Sequence, residues 1–378
     1  MKNITTRYLN RSDREGLRAF MKREYGQEYI LAQEKFFEWY THPARQKNAP
    51  DALPVIGAFL GDDLVGHIFV IPHYFSDRAG AKLPMVWNSN FMVQAEFRQK
   101  GIGPAIVRRI FDDQSIAVSA GTGASLQEKG GRSLLSVMGY EFGFMRKYVF
   151  LLDEGARGFL KDPMTEDAER VRESLRRFAR ASRPEASRAA GRAFDLERFD
   201  DPRLTDFWEE WGAREFYGTW RDADFFQWRY GAHPVFRYRA VAIADEKNKI
   251  RALAVWRRAA LAPSGKYFGR ITEFLAQDGF GEDLASVLLA NMKEAGVSLA
   301  DFSTTTDHFD SALIGAGFIA DSDFTARAPR LLEPLIHVDP FVNIVAKAVR
   351  DQELFPDFNS FDQWYATAAD GDQDRPNH

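Results

Sequence analysis

The chain has 378 residues, 45% of them hydrophobic, and a formal net charge of −4. That length exceeds one ordinary domain and suggests two compact units, and the charge balance provides no global basic field for nucleic acid. With no cysteine at all, disulfides, thiolate metal sites and a cysteine nucleophile are excluded.

The opening stretch MKNITTRYLNRSDREG is polar and has no apolar signal core. No segment approaches the roughly 18 apolar residues of a membrane-spanning helix. A cytoplasmic protein without a membrane span is therefore expected, with no metal.

In chain order, Thr5–Leu9 reads as a strand and Asp13–Tyr25 as a helix, with Leu17, Phe20 and Met21 at helical spacing. The aromatic cluster Phe36–Tyr40 suits a second helix that stops near Pro43. Val55–Leu60, Leu64–Pro72 and Lys82–Val93 read as strands, the first two joined at Gly61-Asp62-Asp63. Then comes FRQKGIGPAIVRRIFDD, Phe97–Asp113. Gly101 and Gly103 tolerate positive φ and allow close approach to the backbone. Pro104 suits the first helical position, and Ile102, Ile106 and Ile110 share a face. A helix start presents free amides and a positive dipole end to an anion, and Arg98 and Lys100 add cations beside it. Ser115–Ala120 reads as a buried strand, Gly131–Met138 as a helix ended by Gly139, and Tyr148–Leu152 as a further strand.

Between Glu166 and Ala193 the chain is rich in arginine mixed with acids. This predicts a solvated helix over Glu166–Ala181 and a connector around Pro184. From Phe194 the pattern restarts. FFEWYTHP at Phe36–Pro43 returns as FFQWRYGAHP at Phe225–Pro234, and VIGAFLGDDLVGHIFV is answered by AVAIADEKNKIRALAVW. Displacing the chain by 178 residues lays Gly101 on Gly279, Gly103 on Gly281 and Gly139 on Gly317. Such an internal repeat argues for two copies of one fold.

The run Val93-Gln-Ala-Glu-Phe-Arg98-Gln-Lys-Gly101-Ile-Gly103 resembles the acyl-CoA signature of the GNAT superfamily of N-acyltransferases. LLSVMGY at Leu134–Tyr140 resembles that family's later helix and Gly-Phe/Tyr turn. The resemblance covers Thr5–Leu152 and, through the repeat, extends more weakly over Phe194–Leu335. It implies an α/β fold of the α+β type: two tandem GNAT units, each a mixed, mostly antiparallel sheet flanked by helices. The expected division is a first unit at 1–153, a charged linker at 154–193, a degenerate second unit at 194–335 and an extension at 336–378.

The resemblance further implies an N-acyltransferase that uses acetyl-CoA as co-substrate. A small amine, possibly an amino sugar or nucleotide sugar, would attack the thioester directly. The loop of Gln99, Lys100, Gly101, Ile102, Gly103 and Pro104 would bind the pyrophosphate through its free amides, beside Arg98. The backbone of Phe91, Met92 and Val93 would pair with the pantetheine arm, and the thioester would lie between that strand and Ile116–Ala120. The tyrosine that serves many members as general acid is replaced by Leu135. Tyr140 belongs to the turn and is expected to pack. Asn88, Ser89 and Asn90 are polar positions on an apolar strand, and Ser89, Asn90 and His67 are the candidates for chemistry. His67 and His73 otherwise read as hydrogen-bonded structural histidines, Glu96 as surface, and Trp39 and Tyr40 as packing.

The repeat puts Ala276 where Arg98 stands, Asp278 where Lys100 stands and Glu282 where Pro104 stands. Acids there oppose a phosphate, so the second copy is expected not to bind CoA in the ordinary way. The tail, with Trp364, Tyr365, Asp370, Asp372 and Asp374, is expected to be solvated, the alternative being an arm folded over a unit to hold an amine. It lacks a complete EF-hand loop. Two other functions compete: a FemAB-type aminoacyltransferase, and a non-catalytic acyl-CoA-binding or scaffold protein.

Overall fold

A computed structural model describes residues 4–41, 51–123, 127–128, 131–153, 191–261, 265–320, 343–350, 353, 355–371 and 374. The charged segment expected over Glu166–Ala181 and Pro184 lies outside them.

The chain opens with β1 (Ile4–Asn10), α1 (Arg14–Tyr25) and α2 (Glu34–Tyr40). A meander follows: β2 (Ala52–Leu60), β3 (Asp63–Asp77) and β4 (Lys82–Val93). Next come α3 (Ile102–Phe111), β5 (Val118–Thr122), α4 (Leu134–Val137), β6 (Glu141–Phe144) and β7 (Arg146–Leu151). The expected helix over Gly131–Met138 shrinks to α4 because Gly131–Arg132 pairs as a strand with Gln127–Glu128. Ser133 caps the shortened helix by accepting from the Ser136 amide at 3.3 Å.

The second half contains β8 (Gly191–Asp195), β9 (Tyr217–Thr219), α5 (Ala223–Phe226), β10 (Tyr238–Asp245), β11 (Ile250–Leu261) and β12 (Lys266–Ala276). It continues through α6 (Gly281–Glu294), β13 (Val297–Thr304), α7 (Asp310–Ala316) and β14 (Ile319–Ala320). Two late strands, β15 (Asn343–Ala348) and β16 (Trp364–Tyr365), complete it.

Among the described residues these strands form two large mixed sheets. The first runs β1-β2-β3-β4-β5-β15-β6, and the second runs β8-β10-β11-β12-β13-β7-β14. Along each of these paths one parallel pair interrupts antiparallel neighbours, β4 with β5 and β12 with β13; off the first path, β9 also pairs parallel with β16.

The sheets share strands across the halves. β7 leaves the first half and pairs antiparallel with β13, placing Tyr148 opposite Phe302. In return β15, from the far end of the chain, fits between β5 and β6, with Ala346 opposite both Ala120 and Glu141. β9 adds a third crossing by pairing with the end of β3, Thr219 opposite Phe75. Apolar periodicity identifies such strands but says nothing about which sheet takes them.

The FFEWY and FFQWRY segments meet where the halves touch. Trp39 and Trp228 stack with ring centroids 5.0 Å apart and planes 10° from parallel. Each indole N–H donates to the other's carbonyl oxygen, at 2.8 and 3.1 Å. This reciprocal contact accords with the packing role expected for Trp39. Replacing Trp39 with alanine should destabilise the chain by about 3–5 kcal/mol, the range for truncating a buried large aromatic. A lower urea midpoint would register the loss, whereas a change below about 1 kcal/mol would show that the stack contributes little.

Candidate active site

The two glycine pairs have matching local structure. Gly101 and Gly279 both adopt left-handed backbone, with φ of 80° and 82°. A Cβ on Gly103 would lie 3.0 Å from Leu134 Cδ2, and one on Gly281 would lie 2.8 Å from Ala312 Cβ. Leu134 and Ala312 are themselves 178 residues apart. In both halves, therefore, the first glycine makes the turn and the second brings two helices close. Gly139 and Gly317 also match, at φ 79° and 103°.

At the first helix, α3 starts at Ile102, two residues before the position that places Pro104 at its start. Pro104 is still within the first turn, where a missing N–H forfeits no intrahelical bond. Ile102, Ile106, Val107 and Ile110 are buried, while the polar start of the helix faces outward. Gln99 is left-handed as well, with φ of 62°. That conformation costs a non-glycine residue roughly 1–2 kcal/mol and sets the course of the turn. Lys100 Nζ sits 5.1 Å from the Phe97 ring centre. Arg98 folds back, its Nε donating to Val93 O at 3.0 Å, so it braces the end of β4.

β4 and β5 run together from Met85 opposite Val118 to Asn88 opposite Gly121. Among the described residues nothing pairs with the β5-facing edge of β4 beyond Asn88. Just past this point β4 is irregular: Ser89 opposes Phe69, but Met92 opposes His67. The extra residue is accommodated at Asn90, left-handed with φ 49°. A V-shaped opening thus begins at Asn88 and leads along Phe91–Val93 towards the α3 turn.

Side chains at the apex are tied down on both faces of the sheet. On the α1–α2 face, the Tyr40 hydroxyl and Ser89 Oγ are 2.6 Å apart, and the Tyr29 hydroxyl donates to Asn90 Oδ1. On the α3 face, Asn88 Nδ2 donates to Ser119 Oγ at 2.7 Å and to the Tyr140 hydroxyl at 3.2 Å. Ser119 and Tyr140 hydroxyls are 2.7 Å apart. Burial pushes the Tyr140 hydroxyl up to about 12. Tyr140 therefore does more than pack: it closes a polar triad beneath the apex. The sequence signal was a tyrosine where the turn tolerates phenylalanine.

The other candidates separate. Leu135 lies half-buried on α4 and Glu96 is exposed. His73 is packed between the rings of Phe225 and Trp228. His67 is fully buried, edge-on to Phe20 and Phe69. Neither of its ring nitrogens has a hydrogen-bond partner among the described residues, which corrects the expectation of a hydrogen-bonded histidine.

The second parallel pair parts in the same manner. β12 and β13 run together as far as Ile271 opposite Phe302. Here the opening is filled by the tail. The Tyr365 hydroxyl accepts from the Phe274 amide at 2.9 Å on one strand. Ala366 O accepts from the Thr305 amide at 3.0 Å beyond the other, and Thr304 bridges to Thr367. The expectation of a solvated tail is therefore corrected: Trp364, Tyr365, Ala366, Thr367, Asp370 and Asp374 are all buried. Arg221 NH2 meets Asp370 Oδ2 at 2.5 Å, while its Nε reaches Glu273 Oε2 at 3.0 Å. Tyr230 donates to Glu273 Oε1 at 2.6 Å. Arg257 and Arg229 take up Asp374, with Arg257 NH2 at 2.7 Å. Burial raises the Asp374 carboxyl, but these cations together with Arg270 bring it well below the usual carboxylate range.

A cavity of about 370 Å³ opens elsewhere on the second half, lined by Glu197, Asp200, Gln227, Tyr230, Arg237 and Tyr238 among others. It touches neither opening strand of the first sheet. Among the described residues no cluster of histidine and acids is arranged to hold a metal, and no helix is long and apolar enough to cross a membrane.

Burial lowers His67 from its ordinary value to about 3, so the ring is neutral at physiological pH. Below about pH 6.5 the unfolded chain binds a proton that the folded chain refuses. Stability should accordingly fall as pH drops from about 6.5 towards 3. His67→Leu should flatten part of this acid limb; His233, also lowered to about 3 by burial, and carboxylates held low by cations, such as Asp374, contribute to the rest. Urea midpoints at pH 7 and 4.5 test this; an unchanged difference between them would contradict it.

No protein-family model and no curated protein matches the sequence. Solved structures do match the architecture. A probable N-acyltransferase from Enterococcus faecalis aligns over 93% of this chain and 74% of its own, with TM-score 0.60 and 14% identity. A GCN5-related N-acetyltransferase from Anabaena variabilis aligns over 92% and 73%, with TM-score 0.60 and 11% identity. N-myristoyltransferase from Saccharomyces cerevisiae, solved with myristoyl-CoA, aligns over 92% and 78%, with TM-score 0.53 and 13% identity. The chain has the fold of the GNAT acyltransferases.

Proposed function

We propose that the chain is an acyl-CoA-dependent N-acyltransferase whose working site is the opening between β4 and β5. The observation that carries this reading is that opening: a parallel pair that parts at Asn88 and Gly121, with a strand edge unpaired among the described residues leading to an anion-accepting helix start. The matching glycines and the two similarly parted strand pairs support reading the sheets as two copies of one fold. The tail that fills the second opening, and Glu282 and Asp283 in the first turn of α6, support a single working copy.

In this reading the pyrophosphate of acyl-CoA lies at the amides of Gln99–Gly103 beside Lys100, with Arg98 bracing the strand that carries the arm. The edge of Phe91–Val93 takes the pantetheine as an added strand. The acyl carbonyl comes to the apex, and a neutral amine attacks it. A C–N bond forms and the C–S bond breaks; the nitrogen loses one proton and the departing thiolate gains one. Tyr29, Tyr40, Ser89 and Asn90 present hydroxyl and amide groups on one face of the apex, held in place by their mutual hydrogen bonds. His67, neutral and walled off by Phe20 and Phe69, takes no part. Acetyl-CoA is the donor and a small amine the acceptor.

Calorimetry with acetyl-CoA should detect one site per chain. Arg98→Glu and Lys100→Glu alter exposed side chains at the helix mouth and should each weaken binding by about tenfold or more. Thiol release across an amine panel then identifies the acceptor. Absence of binding to any acyl-CoA would refute the proposal. Binding without thiol release for any amine would instead identify a non-catalytic acyl-CoA-binding protein.

A further inference from the structure

The buried tail does more than fill the second opening: a hydrogen-bonded path connects it to the first. Trp87, on β4 one residue before Asn88, donates from Nε1 to Thr219 Oγ1 at 2.8 Å. Thr219 donates in turn to Asp370 Oδ1 at 2.6 Å. The other carboxylate oxygen of Asp370 receives Arg221 and the Thr367 amide, the latter at 2.9 Å. The Asp370 carboxylate is thus held by three groups with almost no exposure. It joins the strand at the first apex to the arginine that neutralises Glu273 at the second.

The next residue, Gly371, lies against the first opening. A Cβ there would be 2.8 Å from Thr122 Oγ1 and 3.7 Å from Trp87 Cε3. Thr122 follows Gly121, the last residue of β5 paired with β4. Side chains alternate along a strand, so Thr122 shares the face of Ala120. Ala120 and Trp87 pack with Tyr40 and Phe69, away from the α3 cluster of Val86, Ile106 and Ile110. A ligand anchored at the start of α3 enters from the α3 side, so an amine attacking its carbonyl needs the opposite face. On that face Thr122 Oγ1 is buried with no hydrogen-bond partner among the described residues. This unsatisfied polar atom stands at the point where an acceptor has to arrive.

We propose that Asp370 is a positioning residue for the amine acceptor: it pins the tail so that Gly371 forms the wall of the acceptor side beside Thr122. This rests on the reading of the first opening as the acyl-transfer site. Asp370 does not touch substrate. It acts through the Thr219 and Arg221 anchors, which set where the backbone at Gly371 lies. The left-handed φ of 68° at Gly371 and its contact with Thr122 leave little room for a side chain there.

Two variants of the full-length chain test the proposal. Asp370→Asn removes the buried charge and weakens the anchor. Gly371→Ala leaves every anchor intact and pushes a methyl group towards Thr122 Oγ1, so it remains informative if Asp370→Asn does not fold. Acetyl-CoA affinity is measured by calorimetry, and KM and kcat with the amine that gives the greatest thiol release. For a folded variant the expected result is a KM for the amine raised by about tenfold or more, with acetyl-CoA affinity within about twofold of the original. Unchanged amine kinetics in both variants would overturn the proposal. So would an equal loss of acetyl-CoA affinity, which would make the tail a general support for the fold. If the unaltered chain binds no acyl-CoA, the reading of the site falls and the positioning role falls with it.

Discussion

Arg221 is the constraint around which the two halves are organised. A guanidinium with no exposed surface survives burial only if its charge and its donors are met at close range. One carboxylate comes from β12, at Glu273, and the other from the tail, at Asp370. Glu273 is pushed up by burial and drawn back down by Arg221, so neither group is comfortable alone. Losing one partner would strand the other charge in the interior, a penalty of several kcal/mol. The tail is therefore bound to the body by electrostatic necessity as well as by the burial of Trp364 and Tyr365. Because it crosses the second opening on the way, that opening is filled from within the chain.

The same constraint explains why the halves diverge although their turns agree. Gly101 and Gly279, and Gly103 and Gly281, serve one geometric purpose: a left-handed turn and a close helix contact. That purpose is independent of any ligand, so the same glycines occur in the half whose opening is occupied. Cations are a different matter. Lys100 stands at the first helix start, whereas Glu282 and Asp283 lie in the first turn of α6. The residues that tell the halves apart are those that would meet an anion, not those that bend the backbone.

Much of this was legible in the sequence. Periodicity placed α1, α3 and the β2–β4 meander, because one-sided burial imprints itself on the order of residues. The repeat was legible because the glycine positions recur 178 residues apart in an ungapped stretch and the aromatic segment returns 189 residues on. What escaped was long-range pairing. A strand such as Arg146–Leu151 has an apolar run, Tyr148–Leu151, that would suit either sheet, so its crossing to β13 leaves no local trace. Asp370 and Asp374 read as solvated because acids in a tail ordinarily are. Their partners are Arg221 and Arg257, more than a hundred residues away. His67 and Tyr140 were misjudged for a related reason: whether a polar side chain finds a partner depends on neighbours supplied by other elements.

The crossed strands also bear on how the candidate site is held. β5 forms one wall of the first opening, and its second neighbour is β15, contributed by the far end of the chain. Past β15 the chain runs on through Trp364 to Asp370. The position of that wall is accordingly set by a segment that also closes the second opening. A parted parallel pair has few hydrogen bonds of its own at the apex, since pairing stops at Asn88 and Gly121. Rigidity there has to come from the sides: from β3 through the register with β4, from β15 through its register with β5, and from the tail across the face. The first opening gains a fixed frame from the strands and tail of the second half, and the second half gives up its own opening to provide it.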